Sequence, residues 1–300
     1  LDNQLCKNNN PSTLLLNNYN NLRQLMLNKT GIINHKGWIY TIKHVAAIIH
    51  SNFSDDGQHD IAEFLLFIIN HFHEALSSPV TMEILGKEMN YNDNNAVLSY
   101  KMIKDLYEKN YSKILDIFFG IQISEISSLD NINLSKKAEP FLILDLAIPK
   151  EIKQLDLYTC LDEYFKLEKL EKDNQWYNET TKLKQDVYKK LLVWQFPKIL
   201  IISLKRFNNN LKKDKRLISF PIDNLNLIRY SNGYDKHQNI YKLYAVCNHS
   251  GNVYGGHYTC IIKDESNKWF EYNDQIITEI SKEKIVSTKS YCLFYKKNIQ

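Results

Sequence analysis

The hydrophobic period changes partway along this 300-residue chain, and that change limits the fold more than any other feature. Before residue 118 the apolar residues recur at helical spacing. Residues 58–76 place Ile61, Phe64, Leu65, Ile68, Ile69 and Phe72 on one face. Asp55 and Asp56 precede them, residue types that favour a helix start. Residues 13–27 give a weaker helix, with Leu15, Leu16, Tyr19, Leu22 and Met26 on one side and Ser12 or Thr13 placed to cap it. From about Phe118 the pattern turns to short alternating or β-branched runs: "FFGIQISEIS", "FLILDLAIP", "PKILIISLKRF", "RLISFPI", "YKLYAVCNHS", "HYTCIIKD", "KWFEYND" and "SYCLFYKK". "LDEYFKL" and "DVYKKLLVW" read as helices interrupting that series. Helices first and a mostly antiparallel sheet afterwards predict an α+β plan.

The bulk properties exclude several classes. Hydrophobic residues make up 44% and charged residues 24%, which argues against a disordered chain. The net charge of +4 is too mild to mark a nucleic-acid binder. The basic run "KRFNNNLKKDKR" (205–216) therefore reads as a solvated loop rather than a phosphate site. No run reaches the roughly 18 to 20 apolar residues of a membrane span. The longest, residues 61–69, is broken by Glu63. Five cysteines, odd in number and without a CxxC pair, argue for a reducing compartment, cytoplasmic or nuclear, and against a cysteine-built zinc site. The chain opens on Leu1 with no basic-then-apolar leader, which suggests a fragment or processed form.

Chemistry concentrates in "HSGNVYGGHYTCII" (249–262). Gly255 and Gly256 allow close backbone approach just before His257, which opens a strand. A hairpin of 257–263 with 269–273 returns Asn273 or Asp274 beside His257, where an amide or carboxylate could accept the Nδ1 hydrogen and fix the tautomer. The competing reading is a hairpin with a surface histidine, and spacing alone leaves the two balanced. Such a histidine needs a nucleophile or a metal. His249 is the only other nearby ligand type, so no metal is expected. Cys160, Cys247, Cys260 and Cys292 fall in helix or strand patterns and read as structural thiols. Cys6 lies in a polar stretch before the first helix, where a helix N-terminus would favour its thiolate; spacing alone favours a frayed, exposed terminal thiol.

At this point the chain resembles a family. "YKLYAVCNHSGNVYGGHYTCIIKDESNKWFEYNDQIITEI" is similar to the histidine box of the ubiquitin-specific proteases, papain-like cysteine peptidases. "GQHDIAEFLLFIINHFHEAL" resembles their Q-Q-D-A-x-E-F-L helix, and "FFGIQISEI" their F-x-G-x-x-x-S strand. "EPFLILDLAIP", "LDEYFKLEKLE", "FPKILIISLKRF", "ISFPI" and "SYCLFYKK" follow in the family's order. The resemblance implies a single catalytic domain over 1–300, with a helical thumb (1–110) and β-rich palm and fingers (111–300). It implies Cys6 as nucleophile, His257 as general base, Asn273 as its orienting partner with Asp274 in support, and Asn3 as oxyanion donor, with Gln4 in reserve. Asp60 would contact the arginine-containing tail of ubiquitin. His249, Gly255, Gly256 and Tyr258 would line the channel for the tail's Gly-Gly. The implied reaction is hydrolysis at ubiquitin's C-terminal glycine by a monomer without cofactor, with ubiquitin or ubiquitinated proteins as partners and neither nucleic acid nor membrane.

Two segments depart from the family's pattern. The cysteine box there reads about G-L-x-N-x-G-N-T-C-Y-x-N-S, whereas this chain has "LDNQLCKNNNPSTLLL". That motivates a rival expectation, a catalytically impaired ubiquitin-binding scaffold; a protease for another Gly-Gly modifier is a third. Many members also carry two CxxC pairs in the fingers. The matching stretches here, "SEISSLDN" and "DNQWYNETT", hold no cysteine, so no zinc is expected.

Overall fold

In the computed structural model the described residues are 10–28, 33–208 and 210–298. They divide into two compact units, one of residues 1–82 and 105–117, the other of 83–104 and 118–300. The helices are α1 (Pro11–Asn28), α2 (Lys36–Ile48), α3 (Ile61–Leu76), α4 (Tyr91–Asn110), α5 (Lys113–Phe118) and α6 (Leu157–Phe165).

In the helical unit, Leu15 of α1, Ile42, Val45 and Ala46 of α2, and Phe67 of α3 form a buried core, with Trp38, Phe53 and Phe72 packed against it. The N-cap of α3 is Asp60, not the expected Asp55 or Asp56. Asp60 Oδ1 accepts from the amides of Ala62 (2.7 Å) and Glu63 (3.3 Å). Asp55 instead accepts from the Gly57 amide and contacts His59 Nε2 in the preceding loop. Ser12 is not a cap either. It is buried inside α1, where its hydroxyl donates to Glu74 Oε2 and lies 2.6 Å from His71 Nδ1, tying α1 to α3. Asn10 takes the capping role through its Oδ1, which accepts from the Ser12 amide at 2.9 Å.

The larger unit holds the sheets, and the expected α+β plan is met. Its strands begin with β1 (Gly120–Ser127), β2 (Asn133–Phe141), β3 (Ile143–Ala147), β4 (Leu155–Asp156), β5 (Glu168–Leu170), β6 (Trp176–Asn178), β7 (Leu183–Gln185) and β8 (Val187–Gln195). They continue with β9 (Ile199–Lys205), β10 (Ile218–Ser219), β11 (Leu225–Asn226), β12 (Ile240–Gly251), β13 (Gly256–Lys263), β14 (Trp269–Asn273), β15 (Ile276–Ile280) and β16 (Ser290–Lys297). The main sheet runs β15-β14-β13-β12-β16-β9-β3, antiparallel except for the parallel pair β3/β9. A second sheet runs β2-β1-β8-β5.

The stretch 186–194, expected as a helix, is strand β8. It pairs with β1 on one side and β5 on the other. Its apolar residues also fit helical spacing, but Val187, Tyr188, Val193 and Trp194 are β-branched or aromatic, and pairing on two edges decides between the two conformations. In the second sheet the directly opposed pair Glu125 and Lys136 forms an ion pair at 2.7 Å, and the Tyr91 hydroxyl donates to Glu125.

The core under the main sheet is built from Leu144 and Leu146, Leu200, Ile202 and Leu204, Leu243, Leu293 and the α6 residues Leu157, Cys160 and Leu161. Two phenols enter it with their polar ends satisfied. Tyr241 donates to the Pro197 carbonyl at 2.6 Å and Tyr295 to the Pro221 carbonyl at 2.7 Å. Burial holds both hydroxyls protonated. No helix among the described residues is long and apolar enough to cross a membrane.

Candidate active site

The site is assembled on strands β12, β13 and β14. β13 pairs with β14 from Cys260–Tyr272 to Lys263–Trp269. One step beyond the last pair, Thr259 faces Asn273, so His257 lies on the diagonal from Asn273. Diagonal neighbours sit about 7–8 Å apart, within reach of a long side chain. The imidazole spans that gap: His257 Nε2 lies 2.7 Å from Asn273 Oδ1. A carbonyl oxygen only accepts, so Nε2 carries the hydrogen, and in the neutral ring the lone pair falls to Nδ1. The sequence reading assigned this bond to Nδ1; the distal nitrogen makes it because the partner is diagonal rather than directly opposed. Asp274 Oδ2 stands 3.8 Å from the same Nε2. Asp274 is held at φ 51° in the two-residue link that joins β14 to β15. The His257 side chain is half exposed, so the ring is fixed yet open to solvent.

β12 supplies the wall behind it. Ser250 is the direct cross-strand partner of His257, and Gly251 that of Gly256. The connecting loop is closed by Asn252, whose Oδ1 accepts from the amides of Tyr254 (2.9 Å) and Gly255 (3.1 Å) while its own amide donates to the Gly255 carbonyl (2.9 Å). Gly251 sits at φ 119°, a region closed to most L residues, and a Cβ there would meet Gly255 O at 2.4 Å. At Gly256 the constraint is space. A Cβ there would stand 2.1 Å from His249 Nε2 and 2.5 Å from Ser250 O.

His249 is buried at 5% exposure. Its ring lies against Tyr258 (4.7 Å between centroids), Tyr291 (5.6 Å) and Phe207 (5.7 Å). Lys213 Nζ donates to His249 Nδ1 at 2.8 Å and to its carbonyl at 2.7 Å. An ammonium has no lone pair to accept with, so His249 is the neutral Nε2–H tautomer. Sequence reasoning placed His249 here but missed Lys213, Gly251 and Asn252. Gly251 and Asn252 carried a readable turn signal; Lys213 had none inside a run of like residues.

The basic segment is also more ordered than a solvated loop. Arg206 is fully buried, with Nε donating to Ser290 O (2.6 Å) and Nη1 to Asp214 O (3.1 Å) and Arg216 O (3.0 Å). Arg216 pairs with Asp214 and reaches the carbonyls of Pro149 and Ile152.

Thus His257, Asn273 and Asp274 meet at the mouth of one hairpin, with Gly255, Gly256, His249 and Tyr258 behind them. Asp60 belongs to the helical unit. Cys6, Asn3 and Gln4 lie outside the described residues. Cys160, Cys247 and Cys292 are buried and Cys260 is half-buried. Burial pushes the Cys160 thiol up to about 11, as fits a structural thiol. Among the described residues no three His, Cys, Asp or Glu side chains converge as metal ligands.

Comparisons with known proteins bear on the same site. Residues 2–295 match the family described as ubiquitin carboxyl-terminal hydrolase. Ubiquitin carboxyl-terminal hydrolase Usp2 of Drosophila melanogaster is 31% identical over 261 residues, 85% of this chain and 27% of that protein. Ubiquitin carboxyl-terminal hydrolase 8 of Arabidopsis thaliana is 32% identical over 230 residues, 75% of this chain and 25% of that protein. Ubiquitin carboxyl-terminal hydrolase 2 of Gallus gallus is 30% identical over 244 residues, 80% of this chain and 68% of that protein. The chain therefore spans about a quarter of the first two relatives and about two thirds of the third. The solved SAGA Ubp8/Sgf11/Sus1/Sgf73 DUB module bound to ubiquitin aldehyde superposes with a TM-score of 0.70 at 26% identity, over 98% of this chain and 62% of that one.

Proposed function

Since the chain belongs to the ubiquitin carboxyl-terminal hydrolase family, we propose that it hydrolyses the peptide or isopeptide bond at the C-terminal glycine of ubiquitin. Its papain-like α+β fold is shared with the relatives above. Residues 1–300 act as one catalytic domain, with 1–110 as thumb and 111–300 as palm and fingers, working in a reducing compartment, cytoplasmic or nuclear.

Cys6 is the nucleophile. His257 Nδ1 takes the thiol proton, and the sulfur electron pair adds to the glycine carbonyl carbon. The resulting oxyanion is held by the Asn3 segment. The tetrahedral centre collapses by expelling the lysine or α-amino nitrogen, which receives the proton from Nδ1. Water then gives a proton to Nδ1 as its oxygen attacks the thioester, and the thiol departs reprotonated. Asn273 keeps the imidazole plane aimed throughout, with the Asp274 carboxylate 3.8 Å from the same nitrogen in support. Asp60 reads the basic tail. Gly255, Gly256, His249 and Tyr258 narrow the channel so that only a Gly-Gly terminus passes.

The observation that carries this reading is the 2.7 Å bond from Nε2 to Asn273, because it leaves Nδ1 as the basic nitrogen. The test is a ubiquitin probe with a C-terminal electrophile. Covalent labelling that disappears in Cys6→Ala supports the hydrolase. The altered cysteine segment favours a second reading, a ubiquitin-binding scaffold, for which the probe binds but does not label. Probes built on other Gly-Gly modifiers, run alongside, separate a protease of different modifier choice.

A further inference from the structure

The basic segment and the His249 loop enclose an open groove of roughly 1340 Å³. Eight lysine or arginine side chains line it against one carboxylate, Asp214. That carboxylate is committed to Arg216 at 2.6 Å, and Lys205 is paired with Asp145 at 3.0 Å. Lys150, Lys212, Lys215 and Lys289 are exposed. The excess charge is felt inside the groove: burial first, then Arg206 and Lys215, press the Lys213 ammonium toward losing its proton. A chain with a net charge of only +4 thus sets eight cations against one carboxylate in one concavity, an excess larger than that of the whole chain.

The position of that concavity matters. Ser250 and Gly251 line it, and Ser250 is the cross-strand partner of His257. Paired strands lie about 4.8 Å apart. The groove therefore ends one strand spacing from the general base. Lys289 sits on the same rim, since its carbonyl accepts from the His249 amide at 2.9 Å. An extended chain advances about 3.3 Å per residue, so the residues flanking a bond held at His257 reach the groove within a few positions.

We infer that this groove receives an acidic peptide segment of the substrate protein, flanking the lysine that carries ubiquitin. The proposal rests on the hydrolase reading and deepens it. A duplex nucleic acid is the poorer occupant: recognition of one needs an extended basic face, whereas these cations line a bounded concavity on a chain of pI 8.5. Long-range attraction by such a patch raises the encounter rate with acidic substrates, and the pocket then selects among them.

The test uses the full chain and a variant carrying Lys212→Glu, Lys215→Glu and Lys289→Glu, three exposed positions outside the catalytic set. Three substrates are compared: ubiquitin coumarin amide, and ubiquitin joined to a lysine within either a glutamate-rich or a serine-rich peptide. The expected result is a loss on the order of tenfold in kcat/KM for the glutamate-rich conjugate alone, with the coumarin amide unchanged. Anisotropy of the labelled glutamate-rich peptide is read in parallel and should weaken in the variant and with added salt. Equal turnover of both peptides by both proteins overturns the proposal. So does a short DNA duplex that displaces the acidic peptide at lower concentration. If no ubiquitin substrate is cleaved while the acidic peptide still binds in a charge-dependent way, the hydrolase reading falls and the groove assignment stands.

Discussion

Gly256→Ala is the most informative single change. The added methyl would stand 2.1 Å from His249 Nε2 and 2.5 Å from the Ser250 carbonyl, where ordinary contact begins near 3.4 Å. The imidazole cannot simply turn aside, because Lys213 holds its Nδ1 and three aromatic rings surround it. The carbonyl belongs to the β12 backbone, in the stretch paired with β13. Relief therefore requires the start of β13 to move by about an ångström. Overpacking of this kind costs about 1–3 kcal/mol. The larger effect is on rate, since residue 257 moves with residue 256, and an ångström of misplacement costs on the order of 100-fold. Thermal unfolding should show a drop of a few degrees. Hydrolysis of ubiquitin coumarin amide should show kcat reduced far more than KM is raised. Adding His249→Ala removes the nearer of the two clashes and should return part of the lost stability, so the pair is non-additive. A Gly256→Ala protein with unchanged melting temperature and full activity would refute the steric argument.

Other expectations follow from the same geometry. His257→Ala should lower kcat by about 100- to 10,000-fold while leaving the melting temperature almost unchanged, because the ring is half exposed; a variant that unfolds instead contradicts the assignment. Asn273→Ala should lower kcat and alter its pH profile without abolishing it, read from steady-state rates across pH. Arg206→Met leaves the carbonyls of Ser290, Asp214 and Arg216 without their donor and should cost about 3 kcal/mol in chemical denaturation. Burial lowers the proton affinity of His71 and His73 below the usual 6.5. The unfolded chain then binds more protons, so their contribution to stability is complete above that pH and is lost as pH falls. Urea midpoints compared at neutral and mildly acidic pH should show the decline, and His71→Gln with His73→Gln should flatten it.

The parts of the site that could be read from sequence are those set by local chain chemistry. Glycines and alternation marked the β13–β14 hairpin, and the returning Asn273–Asp274 pair follows from counting along two strands. Helix α3 was legible from its apolar face, but its cap was not, since Asp55, Asp56 and Asp60 are equivalent as residue types and only the loop path selects Asp60. Strand β8 was misread because its pattern satisfies both periods, and the choice falls to β1 and β5 on its edges. The link from Lys213 to His249 joins residues 36 positions apart in sequence and leaves no local trace. The choice of ring nitrogen in His257 depends on register, which sequence spacing alone did not resolve.

Arg206 closes a loop at its base. Its guanidinium clamps the carbonyls of Asp214 and Arg216 from below, and Phe207 bridges to Lys213 directly above. The stem is thereby fastened to β16 of the main sheet, where Arg206 Nε donates to the Ser290 carbonyl. Because the bonds that hold the stem run to main-chain carbonyls, side chains at Asp214 and Arg216 can be exchanged without removing the acceptors that Arg206 uses.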